Sequence, residues 1–86
     1  MDKVLLQSLS SDLKRITLSI QRNSPASAVR FNQEAAKWLA DSKKKIADPS
    51  IQKILSRIHT VLNQKNDLKK AEECLMYSTL LQNRSV

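Results

Sequence analysis

A stripe of aliphatic residues between positions 51 and 62 constrains the fold of this chain most. Its members recur at intervals of three and four and fall within about 120° of a helical wheel: Ile51, Ile54, Leu55, Ile58, Val61 and Leu62. Asp48 can cap a helix at this point, and Pro49 suits the first helical position because no N–H is needed there. The pattern predicts an amphipathic helix over residues 49–64 whose apolar face must be buried against other elements.

The absence of glycine narrows the fold class further. The hairpins of a β-rich fold favour glycine in their turns, and a loop that cradles phosphates requires it. Aromatic residues make up only 3% of the chain, so its core would consist of Leu, Ile, Val and Ala. A chain of 86 residues has room for one small core. We therefore predict an all-α fold, either a small four-helix bundle or stacked helical hairpins, in a single helical domain over residues 1–82.

Two helices are predicted before the aliphatic stripe. The first covers about residues 2–22 and has a seam at alternating spacings of three and four: Leu6, Leu9, Leu13, Ile16 and Ile20. The second covers about residues 25–46, where Ser24 can cap the helix and Pro25 fits its first position. Its polar side carries charges of alternating sign, which indicates exposure to solvent: Arg30, Glu34, Lys37, Asp41 and Lys45.

A fourth helix is predicted over about residues 67–82. The run 63–67 is entirely polar, and Asn66 or Asp67 can cap a new helix there. One continuous helix over residues 49–82 is the alternative, because neither Gly nor Pro forces a stop. Leu68, Ala71 and Leu75 are predicted to form the buried stripe of the fourth helix. Residues 83–86 are predicted to be a frayed tail.

The stretch 74–81 is apolar on almost every side of the predicted fourth helix. Such a helix is either central in the fold or presents a surface to a partner. This surplus of apolar surface favours a non-enzymatic protein–protein interaction module, such as a small adaptor, an assembly subunit or a chaperone-like partner. Its partner would be another protein or a second copy of this chain. The predicted contact residues are Met76, Tyr77, Leu80 and Leu81.

The excess of positive charge on the chain suggests a second function. The net charge is +7, and a charge of this sign suits nucleic acid, an acidic protein or an anionic surface. Lys43, Lys44 and Lys45 end the second helix, and Lys53 and Arg57 follow on the third. These residues predict an anion-binding patch, and the alternative function is a small basic regulator that binds nucleic acid. A favourable interaction of the lysine triplet with the helix dipole explains the triplet better than a binding patch does.

The sequence shows no recognisable catalytic or metal-binding set. His59 is the only histidine and Cys74 the only cysteine, so a four-ligand zinc site of these residues is excluded. We predict that Cys74 is a small buried hydrophobe and that the protein is not an enzyme and uses no metal or cofactor. A single cysteine allows no internal disulfide, which fits a reducing, cytoplasmic location. The apolar runs are far shorter than a bilayer span. The amphipathic third helix has only modest charge and is needed for the core, so no membrane association is predicted either.

Overall fold

The computed structural model describes residues 2–84, which form four α-helices and contain no strand. α1 spans Asp2–Gln21, α2 Pro25–Lys45, α3 Pro49–Leu62 and α4 Asp67–Arg84. The predicted all-α class is confirmed, and each helix ends within two residues of its predicted end. The alternative of one continuous helix is wrong, because four residues, 63–66, separate the end of α3 from the start of α4. Residues 83 and 84, predicted to fray, belong to α4, and residues 85 and 86 lie outside the described part of the chain.

The helices form an antiparallel four-helix bundle of 35 × 20 × 18 Å. α1 packs along both α2 and α4, and α3 packs against the same two helices, so α1 and α3 lie diagonally opposite each other. Hydrogen bonds join Ser10 to Ser78 and Thr17 to Ala71, so residue numbers rise along α1 as they fall along α4. α3 has 14 residues and α2 has 21, so α3 covers only part of the length of the bundle.

The link between α1 and α2 is built around Asn23, whose φ of 55° lies in the left-handed region. The N–H of Ser24 donates to the carbonyl of Ser19, and the N–H of Asn23 donates to the carbonyl of Ile20. This pair of bonds is the Schellman ending of a helix. Ser24 occupies the N-cap of α2, but its hydroxyl makes no capping bond, so the predicted side-chain cap is wrong. The break between α1 and α2 is instead made by the backbone hydrogen bonds that end α1.

Replacing Asn23 by glycine is expected to preserve or slightly raise stability, whereas Asn23→Val should lower the free energy of unfolding by about 1–2 kcal/mol. In the left-handed backbone conformation a residue without a Cβ is unstrained, whereas a β-branched residue is strained. Urea unfolding followed by circular dichroism measures both effects. Asn63→Gly is the matched control, since Asn63 ends α3 with φ of −95° and should lose stability on the same change. Equal effects at the two positions would contradict the role of Asn23.

The link between α2 and α3 is closed by two polar side chains. The Asp48 carboxylate accepts hydrogen bonds from the backbone N–H of Ser50 at 2.8 Å and of Ile51 at 3.4 Å, as predicted for a cap. The Gln52 amide donates to the carbonyls of Lys43, at 3.0 Å, and Ile46. Gln52 therefore holds the first turn of α3 against the last turn of α2.

Polar side chains also fix the link between α3 and α4. The Asn66 side-chain oxygen accepts from the backbone N–H of Lys69 at 3.1 Å, so Asn66 caps α4. The Lys70 ammonium donates to the carbonyl of Leu62 at 3.1 Å and so satisfies a free carbonyl at the end of α3. These two contacts explain why the polar run ends one helix and starts the next.

Buried apolar side chains from all four helices form one core cluster. α3 contributes the predicted stripe, with Leu55, Ile58, Val61 and Leu62 buried and Ile51 and Ile54 half-buried. The predicted stripe of α4 is right for Ala71 and wrong for Leu68 and Leu75. Its buried residues are Ala71, Cys74, Tyr77, Ser78 and Leu81. Leu68 and Leu75 are instead 78% and 45% exposed, so α4 is rotated about its axis relative to the prediction.

Candidate functional site

Hydrogen bonds to α1 account for the rotation of α4. The Ser10 hydroxyl donates to the carbonyl of Ser78 at 2.7 Å, and the Ser78 hydroxyl donates to the carbonyl of Ser10 at 2.8 Å. Farther along α1, the Thr17 hydroxyl donates to the carbonyl of Ala71 at 2.8 Å. The small residues Ala71 and Ser78 lie seven positions apart and let the two helices approach closely. The buried face of α4 is thus the one that suits close approach and hydrogen bonding.

The rotation changes the apolar surface that α4 presents. Met76 and Leu80 are 49% and 39% exposed, as a role in contacting a partner requires. Tyr77 and Leu81 are buried in the core and offer no surface to a partner in the folded chain, which corrects the predicted contact set. The large apolar side chains on the outside of α4 are Leu68, Leu75, Met76 and Leu80, which we call the α4 outer face.

The α4 outer face consists of two rows. Leu68 and Leu75 lie two turns apart in one row, and Met76 and Leu80 lie one turn apart in the other. Between the rows lie exposed polar side chains, among them that of Glu72. The face therefore has apolar groups at the spacings with which a second helix packs, and polar groups that keep it soluble when it is free.

The predicted basic patch is exposed but spread over several directions. The side chains of Lys43, Lys44, Lys45, Lys53 and Arg57 are all exposed. None of them forms an ion pair within residues 3–84, where Arg15 and Asp12 make the one salt bridge. The Gln52 contact brings the two helix ends together, but consecutive residues on a helix point 100° apart. The lysine triplet therefore cannot face a single flat surface.

Cys74 and His59 occupy different environments. Cys74 is fully buried in the core, which confirms its predicted place, and burial raises the pKa of its thiol to about 11. A thiol that stays protonated at neutral pH is a poor nucleophile. His59 is exposed on α3. The arrangement gives no support to a catalytic pair of these two residues.

The structure reveals a polar cluster between α1 and α2 that the sequence analysis did not identify. Asp12 is only 2% exposed, and its Oδ1 accepts a hydrogen bond from Arg15 Nη1 at 3.1 Å. Its Oδ2 is buried as well. The Arg15 guanidinium lies 5.7 Å from the centre of the Phe31 ring. The one sequence signal was the position of Asp12, three residues after Leu9 and four before Ile16 on the apolar side of α1.

The pKa of Asp12 is raised above its ordinary value of 3.8, chiefly because burial disfavours the charged carboxylate. The negative charge of Glu34 raises this pKa further, whereas hydrogen bonding from Arg15 and Trp38 and the positive charge of Arg15 lower it. Glu34 lies on the charged side that the sequence predicted to be solvent-exposed, yet it is half-buried. The two carboxylates therefore share one local environment between the helices.

The raised pKa predicts how stability depends on pH. Folded protein keeps a proton on Asp12 at a pH where the unfolded chain has lost it, so this contribution is complete below pH 3.8 and is lost as pH rises through the folded-state pKa. We expect Asp12→Asn to remove this loss and to raise the thermal midpoint at pH 7 relative to the wild type. Thermal melts of both proteins between pH 3 and pH 7 measure the difference. Asp41→Asn, an exposed change on α2, should have little effect, and a destabilised Asp12→Asn at pH 7 would contradict the prediction.

Comparisons with known proteins add no functional assignment to this geometry. No protein-family model matches the chain, and searches of curated proteins and of solved structures find no match. None of the helices in residues 2–84 is long and apolar enough to cross a membrane. The fold places the chain among small antiparallel four-helix bundles, a class that hosts many functions.

Proposed function

We propose that this protein is a non-enzymatic protein–protein interaction module that uses the α4 outer face. The observation that carries the proposal is the exposure of four large apolar side chains on one helix, Leu68, Leu75, Met76 and Leu80. A single exposed leucine is ordinary, but several on one side of one helix are typical of a contact surface. The core is already complete on the other side of α4, so these side chains are not needed to build the fold.

The expected mode of binding is helix against helix. Apolar residues one and two turns apart are the anchors with which an amphipathic helix is recognised. The partner would bury the two rows of the α4 outer face and would place a polar group opposite Glu72, which lies between them. A small adaptor, an assembly subunit and a chaperone-like partner all fit this mode. A second copy of the chain fits it as well, and light scattering at high concentration tests that case directly.

The test compares two double variants of equal charge. Met76→Lys with Leu80→Lys places two ammonium groups in the α4 outer face, and Val4→Lys with Val29→Lys places two on exposed apolar positions of α1 and α2. Each variant is first checked for helicity and a cooperative melt. Pull-down from native extract with mass spectrometry should then recover the same partners with the wild type and the Val4/Val29 variant, and lose them with the Met76/Leu80 variant. A folded Met76/Leu80 variant that retains every partner would refute the proposal.

Nucleic-acid binding is the second candidate, because all five residues of the basic patch are exposed and free of ion pairs within residues 3–84. Lysine and arginine side chains of this kind neutralise phosphates without reading sequence. Binding to mixed-sequence DNA or RNA that falls steeply as salt rises would support this function. If the protein is not retained on a column of immobilised DNA or RNA at low salt, binding to a protein partner would remain the proposed function. Aromatic side chains that stack on bases are lacking among the exposed residues of the described chain, which favours the first candidate.

A further inference from the structure

α3 contributes cations but no acid to the surface of the bundle. Its sequence contains neither Asp nor Glu, and Lys53 and Arg57 are exposed on it. Asp48, which precedes the helix, is engaged as its cap. Neither Lys53 nor Arg57 forms an ion pair within residues 3–84. These two side chains are therefore free to pair with a partner, and their position relative to α4 decides which partner they suit.

Lys53 and Arg57 lie on the α4 side of α3. Gln52 marks the α2 side, because its amide donates to carbonyls at the end of α2. At 100° per residue, Lys53 and Arg57 lie 100° and 140° around the helix from Gln52. The exposed residues Ser56 and Thr60 fall within this arc, so the arc runs over the outside of α3 and away from α2. Because α3 packs only against α2 and α4, the two cations point toward α4.

The register between α3 and α4 sets which part of α4 these cations lie beside. Gln64 Nε2, just after α3, donates to Glu73 Oε1 on α4 at 3.5 Å. The two helices are antiparallel, so residue numbers fall along α3 as they rise along α4. Arg57 lies seven residues before Gln64. Leu80 lies seven residues after Glu73, so Arg57 is about level with Leu80.

The row of the α4 outer face that holds Leu80 is therefore bordered by cations. By the same count Lys53 lies about level with Arg84, at the end of α4. Lys69 lies on the same side of α4 as this row, two turns before the row begins. Together with Arg57, these residues place four exposed cations around two exposed apolar side chains.

The acidic side chains of α4 do not neutralise this border. Glu73 is half-buried at the contact with α3, where its carboxylate accepts the hydrogen bond from Gln64. Glu72 lies between the two rows, on the far side of the Met76/Leu80 row from α3. Asp67 lies at the start of α4, away from the row. None of these acids forms an ion pair within residues 3–84, so the cations beside α3 keep their full charge for a partner.

We propose that the partner of the α4 outer face is an acidic amphipathic helix. Its apolar residues cover Met76 and Leu80, and carboxylates along one of its flanks lie over Lys53 and Arg57. The inference rests on the proposed function and specifies the chemistry of the partner. Opposite charges along the border of an interface steer the encounter and fix the register of the two partners. An apolar row with cations along one side is complementary to an apolar row with acids along one side.

Two other occupants match this surface less well. A second copy of the chain in a two-fold contact meets it through the same patch, so cations would face cations in a protein whose net charge is +7. Nucleic acid would satisfy the cations but would bring phosphates against the exposed side chains of Met76 and Leu80. A helix with apolar residues and a flank of carboxylates satisfies both parts of the surface at once.

The probes are fluorescein-labelled helical peptides of about 20 residues, a length at which an isolated helix can form in water. Each peptide has leucines one and two turns apart. The first carries glutamates along one flank of the leucines. The second has the same composition but carries its glutamates on the face opposite the leucines, and the third has lysines in place of the flanking glutamates. Fluorescence anisotropy at constant ionic strength should show that the first peptide binds about tenfold or more tightly than the others.

Matched charge reversals decide whether the cations of α3 select the acidic flank. Lys53→Glu with Arg57→Glu should weaken binding of the first peptide by about tenfold or more and should strengthen binding of the lysine peptide. Arg30→Glu with Lys37→Glu changes the net charge by the same amount on exposed positions of α2, which does not pack against α4. This control should keep the order of preference among the three peptides. Each variant is first checked for wild-type helicity.

The proposed function and the acidic partner fail on different results. If the pull-down partners depend on Met76 and Leu80 but are unchanged by Lys53→Glu with Arg57→Glu, the interaction module stands and the acidic flank is refuted. If Met76→Lys with Leu80→Lys retains every partner, both are refuted. Absence of saturable binding by the first peptide, equal affinity of the two glutamate peptides, or tighter binding of a mixed-sequence oligonucleotide than of the first peptide would also overturn the acidic helix.

Discussion

Ile58→Asp is expected to abolish the cooperative folding of the chain. Ile58 is 0% exposed and lies in the middle of the buried face of α3. The substitution removes an aliphatic side chain from a packed core, which costs about 2–5 kcal/mol, and leaves an unpaired carboxylate there, which costs several more. A domain of this size has roughly 4–13 kcal/mol of stability in total. Thermal and urea melts followed by circular dichroism should show low helicity and no sharp transition at pH 7.

The matched control places the same carboxylate on the same helix but in water. Ser56 is exposed on α3, and its hydroxyl bonds only the carbonyl of Gln52 within its own helix. Ser56→Asp should therefore melt within about 1 kcal/mol of the wild type. Acid adds a second check, because protonation removes the charge at position 58 and should restore part of the helicity of Ile58→Asp. Full helicity and a cooperative melt of Ile58→Asp at pH 7 would contradict the assignment of α3 to the core.

The burial of Ile58 could be predicted from the sequence because α3 has one apolar side and one polar side. A single strong stripe leaves only one orientation that buries it, and the Asp48–Pro49 pair marks where the helix starts. The break before α4 could be predicted for a similar reason. Residues 63–67 are all polar, so a helix continued through them would bury no apolar side chain for more than one turn. Asn66 supplies the cap that starts the next helix. In both places local chemistry and global packing agree.

The orientation of α4 could not be predicted in this way. Apolar side chains surround its C-terminal half, so several orientations would bury similar amounts of apolar surface. The observed one is selected by Ser78 and Ala71, which hydrogen-bond to α1 and are weak signals on a hydrophobicity scale. Leu68 and Leu75, which the apolar pattern favours for the core, are consequently left outside. The residues of the candidate surface therefore depend on contacts between helices that are distant in sequence.

The polar cluster between α1 and α2 was missed for a related reason. Sequence patterns treat an aspartate as a solvent-exposed residue, but Asp12 follows the spacing of the apolar seam of α1 and is buried with it. Its significance depends on Glu34 and Trp38, which a different helix brings to it. Pairing of α1 with α2 thus creates a polar cluster that neither helix shows alone. The cluster and the α4 outer face are both products of tertiary packing.

Ser78→Val is expected to give the second largest loss of stability. The change removes the hydroxyl that donates to the carbonyl of Ser10 and deprives the Ser10 hydroxyl of one of its two neighbours. Each lost hydrogen bond costs about 0.5–1.5 kcal/mol, and the larger side chain forces α1 and α4 apart at a further cost of about 1–3 kcal/mol. We expect the free energy of unfolding to fall by about 2–4 kcal/mol in urea titrations.

Thr79→Val is the control that separates the destabilisation by Ser78→Val from the loss of any hydroxyl group on α4. Thr79 is the next residue, is exposed, and bonds only the carbonyl of Leu75 in its own helix, so its replacement should change stability by less than about 1 kcal/mol. Ser78→Ala completes the series, because it removes the hydrogen bond without adding bulk and should fall between the other two. If Ser78→Val were no more destabilising than Thr79→Val, close approach of α1 and α4 would not set the orientation of α4. The α4 outer face would then lose its physical basis, since the same contacts that bury Ser78 turn Leu75 and Met76 toward solvent.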